Sequence, residues 1–257
     1  MSLPSLFLSH GSPMLAIEDL SFTREWAQLG RAMARPEAIL VVSAHWDTAQ
    51  PMVSAAEKPE TIYDFHGFPP ELNRVRYPAP GAPALARRVS QLLGAAGVAC
   101  TIDAQRGLDH GAWVPLKWMV PAADIPVSQL SVQSRRGPAH HLALGRALAP
   151  LRDEGVLVLG SGGIVHNLRE LDWHRKAPGP LPWAGAFNAW MADRLAAGAE
   201  ADLLDYRRLA PEAARCQPTE EHFVPLFVAL GSAGFPAKRI ELGFDLGSLG
   251  MDSYYFG

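Results

Sequence analysis

Ala38-Ile39-Leu40-Val41-Val42-Ser43-Ala44-His45-Trp46 is the stretch on which the fold turns. Its apolar run is β-branched and unbroken, without the polar alternation of a half-solvated strand, which suits a strand covered on both faces. Gly155-Val156-Leu157-Val158-Leu159-Gly160 has the same character. Leu6-Phe7-Leu8-Ser9 and Pro126-Val127-Ser128-Gln129-Leu130-Ser131 are two further short runs. Between them the pattern predicts helices near 23–34, 82–95, 138–151, 184–197 and 219–231. Strands that alternate with helices give an α/β fold with a largely parallel central sheet flanked by helices.

The 257 residues suffice for one large α/β domain. No repeat, low-complexity tract or linker divides them, so a single catalytic domain over 1–257 is expected. The segment 173–183, with three prolines, reads as a surface loop leading into a helix. The long excursion 59–83, dense in Tyr, Phe and His, reads as a loop folded over something. A net charge of −3, with no run of arginines, argues against nucleic acid as partner. Only Cys100 and Cys216 occur, without CxxC spacing, which suits a reducing, cytoplasmic setting and leaves metal chemistry to histidine and carboxylate. The N-terminus lacks the pattern of a signal peptide, and no apolar stretch reaches the roughly 18 residues of a membrane span. No membrane partner is therefore expected, and a homo-oligomer is compatible.

The nine histidines carry the functional argument. His10 directly follows the first strand run and His45 the second. His166 lies just beyond the fourth run, after Gly160-Ser161-Gly162-Gly163, and is expected in the first turn of a helix. If the strands are parallel, all three imidazoles emerge at the carboxyl edge of the sheet, where open α/β folds bind ligands. Any one alone is as well read as a loop histidine with its own hydrogen bonds, but three at one edge are not expected by chance. Gly11 would allow a sharp turn after the first strand. Thr219 reads as the N-cap of a helix carrying Phe223, Leu226, Phe227 and Leu230, which places His222 in its first turn, where the dipole favours the neutral imidazole. A partly exposed helix-start histidine is the plainer alternative. His110, between Asp109 and Gly111, is placed for an orienting carboxylate. His140 and His141 sit on a helix with at least one solvated, and His66 and His174 fall in loops.

No phosphate-binding GxxxxGK[ST] loop and no HExxH helix occur, and Ser161 is not in a GxSxG elbow, which disfavours a serine hydrolase. What remains is a neutral nitrogen-donor metal site, with spare histidines for proton transfer.

Five spaced motifs resemble those of the DODA-type extradiol aromatic ring-opening dioxygenases. They are Leu8-Ser9-His10-Gly11-Ser12-Pro13, Val42-Ser43-Ala44-His45-Trp46, Asp109-His110-Gly111-Ala112-Trp113, Gly162-Gly163-Ile164-Val165-His166-Asn167-Leu168 and Glu221-His222-Phe223-Val224-Pro225-Leu226. The resemblance runs to about residue 250, ending in Gly247-Ser248-Leu249-Gly250-Met251. It implies a metal held by His10, His45 and His222, with His166 as acid–base catalyst and His110 behind it or on the substrate. Distant relatives use a glutamate as third ligand, and here Glu221 precedes His222; with zinc, His166 is a candidate fourth donor. The implied cofactor is Fe(II), with Zn(II) as bound or substituting metal, and the implied partners are a catechol and O₂. Trp46, Trp113, Tyr63 and Phe65 are candidate walls for a planar ring, although each taken singly reads better as core or loop packing. An arginine for a substrate carboxylate would come from Arg24, Arg74, Arg76 or Arg169. The alternatives are a zinc-dependent hydrolase on the same histidines and a non-enzymatic interaction protein on the same fold.

Overall fold

The computed structural model describes residues 2–172 and 179–257. The segment 173–178, including His174 and most of the proline-rich stretch, lies outside the described residues. Among the described residues ten strands follow the chain order: β1 Ser5–Ser9, β2 Ala38–Asp47, β3 Met52–Ser54, β4 Thr101–Asp103, β5 Val127–Val132, β6 Val156–Gly162, β7 Ala237–Ile240, β8 Phe244–Asp245, β9 Leu249–Gly250 and β10 Ser253–Phe256. Eight of them form one sheet in the order β4-β3-β5-β2-β6-β1-β10-β7, while β8 and β9 pair separately. β1 and β2 both run parallel to β6, and β2 runs parallel to β5. Antiparallel pairs flank this centre, namely β3 with β5, β1 with β10 and β10 with β7. The fold is thus a single α/β domain with a mostly parallel sheet, as the alternation of runs predicts.

The unbroken apolar runs sort by the two-residue strand period into opposite faces. Ile39, Val41, Leu157 and Leu159 join Trp26, Trp113 and Leu116 in one core. Leu40, Val42, Val156 and Val158 join Leu85, Val89, Leu144 and Val228 in another. A third cluster gathers Phe7, Phe187, Phe223 and Phe227. Both faces are covered, which is why these strands carry no alternation.

The predicted helices appear at Ser21–Ala32, Pro83–Ala95, Gly137–Leu148 and Pro182–Ala196. The last one starts later than expected, at Pro225–Ala233. Thr219 is no N-cap: its hydroxyl donates to Glu221 at 2.9 Å. His222 therefore sits in a turn before the helix rather than in its first turn. Proline at the first helical position explains the delayed start, since its missing N–H costs nothing there. His166 likewise precedes only a short 3-10 helix, Leu168–Glu170, capped by Asn167. The helix His110–Met119 was not legible, because Gly111 and Pro115 argue against it. It forms because Asp109 caps it, accepting from the Ala112 N–H at 3.3 Å, and because most of its length is buried.

Candidate metal centre and active site

Each histidine of the site is placed by a specific backbone device. Gly11, at φ +61°, takes the left-handed conformation that lets the chain turn just after His10. His45 does not follow β2 but lies inside it, where the register with β5 shifts between Val42 and Asp47. Such irregularities re-aim side chains, and they favour the rims of binding sites. The His222 turn presses on the end of β6, where Gly163 donates to the His222 carbonyl at 2.8 Å. A Cβ on Gly162 would collide with that carbonyl, so only glycine permits the approach.

His10, His45 and His222 then converge. Their Nε2 atoms stand 3.0 Å apart for His10 and His45, and 3.3 Å apart for His45 and His222. The other ring nitrogen of each has a partner. His10 Nδ1 lies 2.9 Å from Ser161 Oγ, whose own proton goes to the Gly111 carbonyl, so the imidazole is the donor. His222 Nδ1 faces Glu221 at 3.1 Å, and His45 Nδ1 faces Asp64 at 3.3 Å. With each Nδ1 carrying its proton, three Nε2 lone pairs point at one another. Uncompensated lone pairs at this separation repel, and a cation between them removes the repulsion. The donor set thus fits a metal, and the ligand atoms lie within 4.8 Å of one another. Glu221 sits behind His222, on Nδ1, rather than among these nitrogens.

The electrostatics agree. Burial, followed by the neighbouring imidazoles, holds the pKa values of His10 and His222 well below the ordinary histidine value. Burial, then His110, lowers His45 to about 3 despite the opposing pull of Asp64. Burial, then the neighbouring His45 and His110, brings His166 to about 3. These imidazoles are neutral at pH 7, the form that binds metals and accepts protons.

His166 stacks on His222, with ring centroids 3.4 Å apart and planes 10° from parallel. His110 is 5% exposed, and its ring centroid lies 3.8 Å from that of His45. Both line a cavity of about 450 Å³ with His10, His45 and His222, within the range of small-molecule sites. Asp64, Phe65, His66 and Phe68, all from the excursion 59–83, form part of the lining, so that loop is folded over the site. Leu168, Leu171, Leu246 and Leu249 close the apolar side.

The two tryptophans lie elsewhere. Trp113 is fully buried in the core, where its indole donates to the Ile62 carbonyl at 2.9 Å and its ring backs Phe65. Trp46 is 7% exposed under the Arg106 guanidinium, 4.8 Å from its ring. Neither lines the cavity; strand alternation turns Trp46 away from the face that His45 occupies. Of the aromatic candidates Phe65 is in the lining, whereas the Tyr63 hydroxyl is tied to the Val75 carbonyl at 2.6 Å. None of Arg24, Arg74, Arg76 and Arg169 lines the cavity; Arg24 pairs with Asp19 and Arg76 stacks on Tyr63. The sequence reading missed Asp64, Phe68 and the role of Ser161. An acid next to Phe65 in an aromatic loop was the available signal for the first.

Open nitrogen-donor sites at the strand ends of an α/β sheet belong to metalloenzymes rather than to closed structural metal centres. The chain belongs to the family of the catalytic LigB subunit of aromatic ring-opening dioxygenase, whose model matches residues 4–256. Within it the chain is similar to proteins named 4,5-DOPA dioxygenase extradiol. It is 45% identical to that of Beta vulgaris, covering 98% of this chain and 96% of the relative. It is also 45% identical to that of Escherichia coli (strain K12), covering 99% and 95%. The chain is accordingly an extradiol ring-cleaving dioxygenase. Its fold matches the crystal structure of an uncharacterized protein from Escherichia coli K12 with a TM-score of 0.83 and 41% identity, over 99% of this chain and 100% of that one.

Proposed function

We propose that the chain opens the ring of a DOPA- or protocatechuate-like catechol with O₂, at a single Fe(II) held by His10, His45 and His222. The observation that carries this reading is the set of three Nε2 atoms converging at the cavity lining, each with its Nδ1 facing an oxygen. When bound, the ferrous ion acidifies the catechol and offers positions at which catecholate and O₂ meet. His166, neutral and facing the cavity beside His222, accepts the phenolic proton. That same proton is returned as the ring opens, by His166 or by way of His110, which stands on the other flank against His45. Phe65 and Phe68 face the planar ring, and the leucines keep bulk water from it. Zinc competes for such a site, because nitrogen donors bind it more tightly than ferrous iron. The free cysteines Cys100 and Cys216 suit a cytoplasmic setting, and among the described residues no helix is long and apolar enough to cross a membrane.

The test is anaerobic reconstitution with Fe(II), then O₂ uptake and a yellow ring-fission chromophore with DOPA or protocatechuate. Turnover should vanish in His10→Ala together with iron binding. In His166→Ala it should fall by about 10²–10⁴-fold with iron retained, the usual range for a positioned acid–base group. Full iron occupancy without O₂ uptake across a panel of catechols would sink the reading and bring the zinc-hydrolase alternative forward.

A further inference from the structure

We infer that Asp64 is a positioning residue that sets two imidazoles at once, His45 toward the metal and His110 toward the substrate. The inference rests on the proposed ligand set. One carboxylate oxygen, Oδ2, lies 3.3 Å from His45 Nδ1. The other, Oδ1, accepts from the His110 backbone N–H at 3.0 Å and lies 3.0 Å from His110 Nδ1, off the line of a well-aligned N–H bond. With both Nδ1 atoms turned to the carboxylate, Nε2 of His45 is left for the metal and Nε2 of His110 for the cavity. Elsewhere the pairing is single: Ser161 bonds to His10 Nδ1 and Glu221 to His222 Nδ1.

Asp64 can do this because its loop is laced to the segment that leads into His110. Ile62 donates to the Leu108 carbonyl at 2.8 Å, and Leu108 donates to the Glu60 carbonyl at 2.8 Å. A Cβ on Gly107 would strike the Glu60 carbonyl, so the two segments close only with glycine there. The Trp113 indole pins Ile62, and the Tyr63 hydroxyl pins Val75 across the loop. The Asp64 side chain is 23% exposed and lines the cavity, so the same carboxylate borders the substrate space.

The experiment compares Asp64→Asn, Asp64→Ala and Glu221→Gln, with His45→Ala as control, for Zn(II) affinity by competition with a chromophoric chelator. kcat and KM are then read on the Fe(II)-loaded enzyme at saturating metal. Removing a carboxylate that orients a ligating histidine typically weakens metal binding 10–100-fold. Asp64→Ala should lose affinity in that range and, once refilled with metal, should still show a lowered kcat with KM little changed, because His110 remains unanchored. Glu221→Gln should lose affinity alone. Asp64→Asn keeps one acceptor oxygen and the side-chain volume, so it should fall between wild type and Asp64→Ala. Wild-type affinity in both Asp64 variants, with only thermal stability reduced, would overturn the inference. If His45→Ala also binds Zn(II) as wild type does, the ligand assignment itself fails.

Discussion

At the scale of single residues, the site depends on which nitrogen of each imidazole holds its proton. Ser161 decides this for His10, because its hydroxyl proton is committed to the Gly111 carbonyl and its oxygen can only accept from Nδ1. Ser161→Ala removes that acceptor without enlarging the side chain. His10 is then free to carry its proton on Nε2, facing the other two imidazoles. We expect Zn(II) affinity to fall about tenfold, the lower end of the usual effect, with little change in overall fold. Titration with a chelating dye checks it, and unchanged affinity would mean that burial alone orients His10. His10 and His45 stood out by their places after strand runs and His222 by its place near a helix start, whereas their orienting partners did not. Ser161 and Asp64 carry no pattern that separates them from other polar residues, and their roles exist only once distant segments meet.

At the scale of elements, the head of the helix Gly137–Leu148 is tied to the end of β5 by His141. This fully buried imidazole donates from Nδ1 to the Gly137 carbonyl at 2.7 Å and accepts at Nε2 from the Gln133 N–H at 3.1 Å. Burial lowers its pKa to about 4, opposed by the Gly137 carbonyl. The folded-state pKa thus lies below the unfolded value of about 6.5, and between the two the unfolded chain binds more protons. The stabilisation is complete above that unfolded value and is lost as pH falls toward 4. At pH of about 5 the loss amounts to roughly 2 kcal/mol. His141→Gln keeps an acceptor for Gln133 but cannot titrate, so its urea midpoint should fall less steeply between neutral pH and pH 5 than that of wild type. Equal slopes would remove His141 from the account. The active-site histidines titrate in both proteins, so the difference isolates this one. Sequence reading placed this helix near 138–151 but gave its histidine no partner, because the Gln133 contact needs the turn that joins strand to helix.

At the scale of the whole molecule, the proposed metal centre joins elements from nearly the full length of the chain. His10 follows β1, His45 lies in β2, and His222 precedes the helix Pro225–Ala233. A metal held by all three binds the folded protein and not the unfolded chain, so it should stabilise the fold by mass action. With free metal at 100 times its Kd the gain is about 2.7 kcal/mol. In a chain of this length that corresponds to a rise in Tm of roughly 5–10 °C. Scanning calorimetry of the chelator-stripped and Zn(II)-loaded forms checks this, and coincident melts would contradict a three-element site.

What the sequence determined by itself was the α/β class and the edge of the sheet at which the candidate site lies. Both follow from local signals: strands covered on two faces read as unbroken apolar runs, and His10, His45 and His166 sit at or just past their ends. Tertiary structure decided the rest. It fixed His222 in a turn against β6, because the close approach to Gly162 positions that residue rather than a helix dipole. It sent Trp113 into the core and brought Phe65 and Phe68 to the cavity, since packing of the excursion 59–83 chooses which aromatic faces remain open. It also set Asp64 between His45 and His110. Such contacts join residues far apart in the chain, and no local periodicity encodes them.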